Sequence, residues 1–194
     1  MTQVATTTLS LEEFLQLPET TPPSEFIQGR ILPKPMPQGQ HSRLQQKLTN
    51  AINGVAEDDC IALALPELRC TFGGQSTVPD IAVFTWSRLP ILENGNLANT
   101  FTAAPDWTIE ILSPQQPATR VTRNIFHCLN HGTQLGWLID PSEALILTYQ
   151  NDRAPGLLDG TSSQSLTVPP WFPDLKLTPA QIFSWLKIAP SPRS

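Results

Sequence analysis

Two carboxylates stand where the chain otherwise asks for aliphatic side chains. Asp80 lies in "VPDIAVFTW" and Glu110 in "DWTIEILSP", both apolar and strand-like runs. An ionised carboxylate buried without a partner is costly, so such a group finds a cation, finds a metal ion or takes up a proton. Two acids converging from neighbouring strands form a hard-oxygen site suited to Mg²⁺ or Mn²⁺. An ion held there polarises a phosphate and lowers the pKa of bound water, the two requirements of phosphodiester hydrolysis. The bland alternative is structural, with Glu110 pairing with an arginine and Asp80 capping a turn.

Other constellations offer less. His127 and His131 in "HCLNH" are one helical turn apart, but the glutamate of a zinc-protease helix is absent (Cys128 follows His127) and no third ligand is evident. No G-x-S-x-G elbow and no G-x-x-x-x-G-K phosphate cradle occurs. Trp171, Phe172 and Trp185 read as packing anchors of the C-terminal region. Arg43 and Lys47, with Arg30 and Lys34 upstream and Arg120 and Arg123 later, form either a modest phosphate-contacting rim or a solvated face.

The elements that would position the acids follow from periodicity and punctuation. "SLEEFLQLP" carries a capping box, Ser10 with Glu13, and Pro18 stops the helix. "SEFIQGRILPKP" reads as two short strands about Gln28-Gly29. "GQHSRLQQKLTNAINGVAED" places Leu44, Leu48, Ala51, Ile52 and Val55 on one stripe of an amphipathic helix. "IALALPELRCTF" and "TVPDIAVFTW" are expected to pair around "GGQS", and "LPILENGNLANTFTAAP" is a loop. A strand in "DWTIEILSP" stopped by Ser-Pro, a helix over "ATRVTRNIFHCLNHG" ending at Gly132, strands "LGWLIDP" and "EALILTYQ", and a helix opened by Thr178 and Pro179 complete the chain.

The sum is a mixed α/β (α+β) fold: one domain over 1–194, with an N-terminal helix and hairpin at 1–37, a core at 38–150 and a C-terminal strand and helix at 151–194. The formal net charge of −5 argues against a broadly basic nucleic-acid binder but permits a local basic rim. Three cysteines, none in a CxxC pair, read as free thiols, and no signal peptide or membrane span is apparent, so a cytoplasmic protein without membrane contact is expected.

Taken in order, "VPDIAVF", "WTIEILSP", the "HG" that ends the helix and "LGWLIDP" resemble the PD-(D/E)XK nuclease superfamily. With "LSLEEFLQLPE", "SEFIQGRI", "QHSRLQQKL" and "LTPAQIF", the chain is similar over most of its length to the Uma-type family of restriction-endonuclease-like proteins. The resemblance implies a restriction-endonuclease-like core of helix, mixed four-stranded sheet and helix. It implies that Asp80, Glu110 and the backbone carbonyl of Ile111 hold the metal, with Glu25 and His41 approaching from N-terminal elements. Each of these two also has a local reading, Glu25 as a turn residue and His41 as part of a helix start.

The pattern breaks at the motif lysine, which in that family stands on the helix after the Glu strand, eight residues before the glycine; here the position is Asn124, beside Arg123. Asn offers hydrogen bonds but no charge, and Arg stabilises phosphate without accepting a proton. The expectation is a Mg²⁺- or Mn²⁺-dependent DNA endonuclease weakened by that loss, acting as a homodimer. Asp80, Glu110, Glu25, Asn124 and Arg123 would be catalytic, and His41, Arg43, Lys47 and Arg120 would contact nucleic acid. The alternative is an inactive module of the same fold that binds nucleic acid or a protein partner.

Overall fold

The computed structural model describes residues 9–114 and 116–188. The strands expected of the mixed fold resolve into two sheets. A small antiparallel sheet has the order β2-β1-β5-β4, from β1 (Ser24–Ile27), β2 (Arg30–Pro33), β4 (Cys70–Phe72) and β5 (Gln75–Thr77). A larger mixed sheet has the order β10-β9-β8-β7-β6-β3. Its members are β3 (Ala62–Pro66), β6 (Ile81–Thr85), β7 (Trp107–Ile111), β8 (Leu135–Asp140), β9 (Leu145–Tyr149) and β10 (Gly156–Asp159).

Only β7 and β8 run parallel, so the chain crosses over between them, through α3 (Ala118–Asn130). Helix α1 (Leu11–Leu15) opens with the reciprocal Ser10–Glu13 capping box, and α4 (Pro179–Ser184) is capped by Thr178. Gln28 and Gly29 both have positive φ, 51° and 75°, as a two-residue β1–β2 turn that follows strand twist requires.

One expectation needs correcting. The Gly73-Gly74 turn does not join the two long runs in one ladder; it pairs β4 with β5 in the small sheet, while β3 and β6 pair in the large one. The chain leaves the large sheet after Pro66 and re-enters it at Ile81, so a single apolar run serves two sheets. The six-stranded sheet is also wider than the four strands the resemblance implies, since β9 and β10 extend one edge.

The main core lies between the large sheet and α2 (Gly39–Ala56), whose buried stripe is Leu44, Leu48, Ile52 and Ala56. Ile81, Val83, Trp107, Ile109 and Ile111 meet that stripe, and Leu175, Leu177 and Ile182 from the C-terminal region close it. Side chains alternate across a strand, so Ala82, Phe84, Thr108 and Glu110 belong to the opposite face. On that side a second cluster joins Ala82 and Phe84 to Cys70, Phe72 and Cys128. Cys60, Cys70 and Cys128 are free thiols.

Candidate active site at the seam of the two sheets

Strand register brings the two acids together. The β6–β7 ladder pairs Ile81 with Ile109 and Ala82 with Thr108. Asp80 precedes Ile81 and Glu110 follows Ile109, so in an antiparallel ladder the two acids stand opposite one another, on the same face of the sheet. Both are buried, Asp80 at 2 % exposure and Glu110 at 6 %.

Asp80 is held from several elements. The Ile111 amide donates to its Oδ2 at 2.7 Å, and His41 Nε2 approaches the same oxygen at 3.1 Å. Its Oδ1 accepts from Lys34 Nζ at 2.6 Å. An ionised carboxylate only accepts, so His41 Nε2 carries the proton of its bond, and Nδ1 of that ring is left buried with no partner among the described residues. The backbone is fixed too: Asp80 O accepts from Gln45 Nε2 at 2.8 Å and from the Glu67 amide at 3.1 Å. Burial alone would raise the pKa of Asp80, but the Lys34 charge and the His41 contact overcome it and hold the carboxyl down at about 2.

Glu110 is driven the other way. Burial, then the negative charges of Asp80 and Glu25, raise its pKa well above the ordinary carboxylate range, against the pull of Lys34 and the Asp80 backbone. No ion pair to Glu110 forms among the described residues. The contrast with Asp106 is instructive. That acid is equally buried but receives the Thr85 amide and hydroxyl and, at 2.6 Å, Arg88. Asp106 is therefore a finished structural contact, and Glu110 is a buried acid short of positive charge.

Glu25, on β1, reaches the same place from the small sheet. Its Oε1 accepts from the Val78 amide at 3.0 Å, and Asn124 Nδ2 lies 3.3 and 3.4 Å from its two oxygens. Asn124 is buried on α3, whereas Arg123 beside it is exposed and makes no hydrogen bond or ion pair among the described residues.

The basic residues scatter. Arg43 Nε donates to the Trp185 carbonyl at 3.3 Å, Lys47 is partly exposed farther along α2, and Arg120 donates to the Pro33 carbonyl at 3.3 Å. Of that set only Arg120 is drawn towards the end of β2, next to Lys34. A cleft of about 540 Å³ opens beside the site, lined by Gln40, His41, Ser113, Gln116 and Ser142 among others.

Lys34 is the residue that sequence reasoning placed only in a rim that would either contact phosphate or face solvent. It follows β2, and its ammonium contacts Asp80 Oδ1 and the Val78 carbonyl, each at 2.6 Å. Burial opposes its charge, yet Asp80, Glu110 and Glu25 together raise its pKa. The signal that could have found it is the tight β1–β2 turn, because Glu25 pairs with Leu32 and any inward-facing Glu25 brings the end of β2 along.

The histidine pair has a structural explanation. His127 Nε2 lies 3.2 Å from the Phe72 carbonyl with its ring stacked on Phe72, and His131 Nδ1 lies 2.8 Å from the His127 carbonyl. No three His, Cys, Asp or Glu side chains among the described residues converge as a metal-binding group. Any ion at Asp80 and Glu110 would thus take at most two side-chain donors plus backbone and water oxygens, the donor set Mg²⁺ commonly accepts. Ile111 suits the backbone part: its amide points at Asp80, and in an extended strand the carbonyl of the same residue points to the same edge.

The family model described as "Uma2: Putative restriction endonuclease" matches residues 11–180. A crystal structure of a putative nuclease of DUF820 from Anabaena variabilis is similar with a TM-score of 0.90 and 53 % identity, covering 92 % of this chain and 99 % of that one. No curated protein matches.

Proposed function

Since the chain belongs to the Uma2 family of putative restriction endonucleases, we propose that it is a Mg²⁺- or Mn²⁺-dependent endonuclease hydrolysing DNA phosphodiester bonds at the Asp80–Glu110 pair. The observation that carries the reading is the unfinished charge balance. Three buried acids, Asp80, Glu110 and Glu25, share one ammonium, and the shortfall falls on Glu110. A divalent cation is the species that would make good such a deficit, and the donors are the hard oxygens it prefers.

Asp80, Glu110 and the Ile111 carbonyl would hold the ion, which when bound supplies polarisation of the phosphate and acidification of a water. The protein's own part is positioning. The Ile111 amide and His41 fix the Asp80 carboxylate, Asn124 and the Val78 amide fix Glu25, and the His41-lined cleft admits the strand to be cut. In the net reaction water adds across the P–O bond: its oxygen bonds to phosphorus, the ester oxygen leaves, and the proton passes to the leaving group or solvent. Arg120 stands at the same end of α3 as a phosphate contact; Arg43, tied to Trp185, is a less favourable one.

We further propose a cytoplasmic homodimer, because cutting both strands calls for two sites. No helix among the described residues is long and apolar enough to cross a membrane.

Two observations favour the inactive module instead: both Asp80 oxygens are already engaged by protein donors, and Asn124 brings no charge. Calorimetry with Mn²⁺ on wild type and Asp80→Asn, followed by nicking of supercoiled DNA, decides between them. Binding and nicking that both disappear in the variant support the nuclease. A wild type that takes up no Mn²⁺ and cuts nothing supports the module.

A further inference from the structure

The family's motif lysine belongs on α3, where this chain has Asn124, yet the acidic cluster is not without an ammonium. The geometry points to Lys34 as the lysine of this site, delivered from the end of β2 instead of from α3, with its free N–H directed to a phosphate oxygen or the attacking water. The inference rests on the nuclease reading above.

Three observations converge. Lys34 is the only lysine or arginine within ion-pair distance of Asp80, Glu110 or Glu25 among the described residues. Its ammonium has three donors and spends two among the described residues, on Asp80 Oδ1 and the Val78 carbonyl, so a side chain only 10 % exposed keeps one N–H for a ligand. Asn124 faces the same cluster from α3, its amide within 3.4 Å of both Glu25 oxygens. A longer side chain at 124 and the present one at 34 therefore lead to the same acids.

The base of Lys34 is also fixed. Its amide donates to the Pro23 carbonyl at 3.0 Å, extending the β1–β2 ladder, and Arg120 ties the preceding Pro33 to the first turn of α3. Proline on both sides, Pro33 and Pro35, limits the backbone further. A solvated lysine needs none of this. A lysine that must return to one position does.

The test compares wild type with Lys34→Met, Lys34→Arg, Asn124→Lys and the double variant Lys34→Met/Asn124→Lys. Mn²⁺ affinity is measured by calorimetry, nicking of supercoiled plasmid DNA in Mn²⁺ by gel, and folding by melting temperature. Lys34→Met is expected to bind Mn²⁺ at least as tightly as wild type, having lost a competing cation, while nicking about 100-fold or more slowly. The double variant is expected to regain roughly a tenth or more of the lost rate by returning the ammonium through α3.

Lys34→Arg guards against a misfolded Met variant. It keeps the charge on Asp80 but replaces the compact ammonium with a planar fork, and is expected to fold, bind Mn²⁺ and nick at least about tenfold more slowly. A lysine that serves only as counter-ion to Asp80 predicts no such loss. Wild-type nicking rates in Lys34→Arg overturn the inference. So does a wild type that binds Mn²⁺ but nicks nothing, whether or not Asn124→Lys gains activity. A wild type that binds no Mn²⁺ is a different failure, since it removes the nuclease reading on which this one stands.

Discussion

Lys34 and Asp80 should be energetically coupled far more strongly than a surface pair, and a double-mutant cycle measures it. The pair is 2.6 Å apart with side chains 10 % and 3 % exposed. The fall of the Asp80 pKa from an ordinary 3.8 to about 2 means that the fold favours its charged form by about 2 kcal/mol. Removing one partner also strands the other as a buried charge, which costs about 3–5 kcal/mol.

The two single variants should differ. Lys34→Met leaves Asp80 with only the Ile111 amide and His41, whereas Asp80→Asn leaves an ammonium still attracted by Glu110 and Glu25. Lys34→Met is therefore expected to be the costlier, at about 3–4 kcal/mol, with Asp80→Asn at about 2–3. The double variant, with neither charge, should cost less than the two together, giving a coupling of about 2–3 kcal/mol.

Urea unfolding followed by fluorescence reads this directly, since Trp107 and Trp137 are fully buried and pack edge-to-face. Each single variant should lower the midpoint by about 1–2 M. The folded pKa of Asp80 is depressed, so its contribution is complete above its unfolded value near 3.8 and disappears as pH falls towards about 2. The cycle belongs at neutral pH and should change little with added salt. Additivity within about 0.5 kcal/mol would refute the reasoning, because no buried pair with shared neighbours could then exist.

Glu110 should behave in the opposite sense. Its folded pKa is raised, so the fold gains stability as pH falls through that value, and Glu110→Gln should stabilise the metal-free protein at pH about 8 with a gap that narrows at pH about 5, as urea midpoints will show. Mn²⁺ should then invert the ranking: at one hundred times its dissociation constant it stabilises wild type by about 2.7 kcal/mol and Glu110→Gln by much less, by thermal shift. Gly73→Ala should cost about 1–3 kcal/mol, since Gly73 has φ of 56° and an added Cβ would meet the His131 ring at 2.1 Å; adding His131→Ala should return only the steric part. Sedimentation of the full chain at micromolar concentration should show a dimer, and a monomer that still nicks one strand at a time would remove that part of the proposal.

What the sequence made legible was what repeats or is local. The 3.6-residue stripe of α2, the Ser10–Glu13 box and the Thr178 cap are read within a few residues, and each is present, except that Ala56 and not the exposed Val55 ends the stripe. Asp80 and Glu110 were legible as acids because their apolar neighbours made them expensive there. The division of strands between two sheets was not, because Ala62–Pro66 and Cys70–Phe72 obey the same local rules and only long-range pairing separates them. Lys34 was hidden for a related reason. Between two prolines, it has the local look of a solvated loop residue, and nothing nearby marks it as buried. A carboxylate is short and betrays its environment through its immediate neighbours; a lysine carries its charge four methylenes from the backbone and can enter a site that its own segment does not line. The identity of the site's cation is therefore decided by where the β1–β2 hairpin docks, with Glu25 as its inward-facing guide. On α3 the lysine position holds the uncharged Asn124, and the charge that reaches Asp80 comes instead from the end of β2.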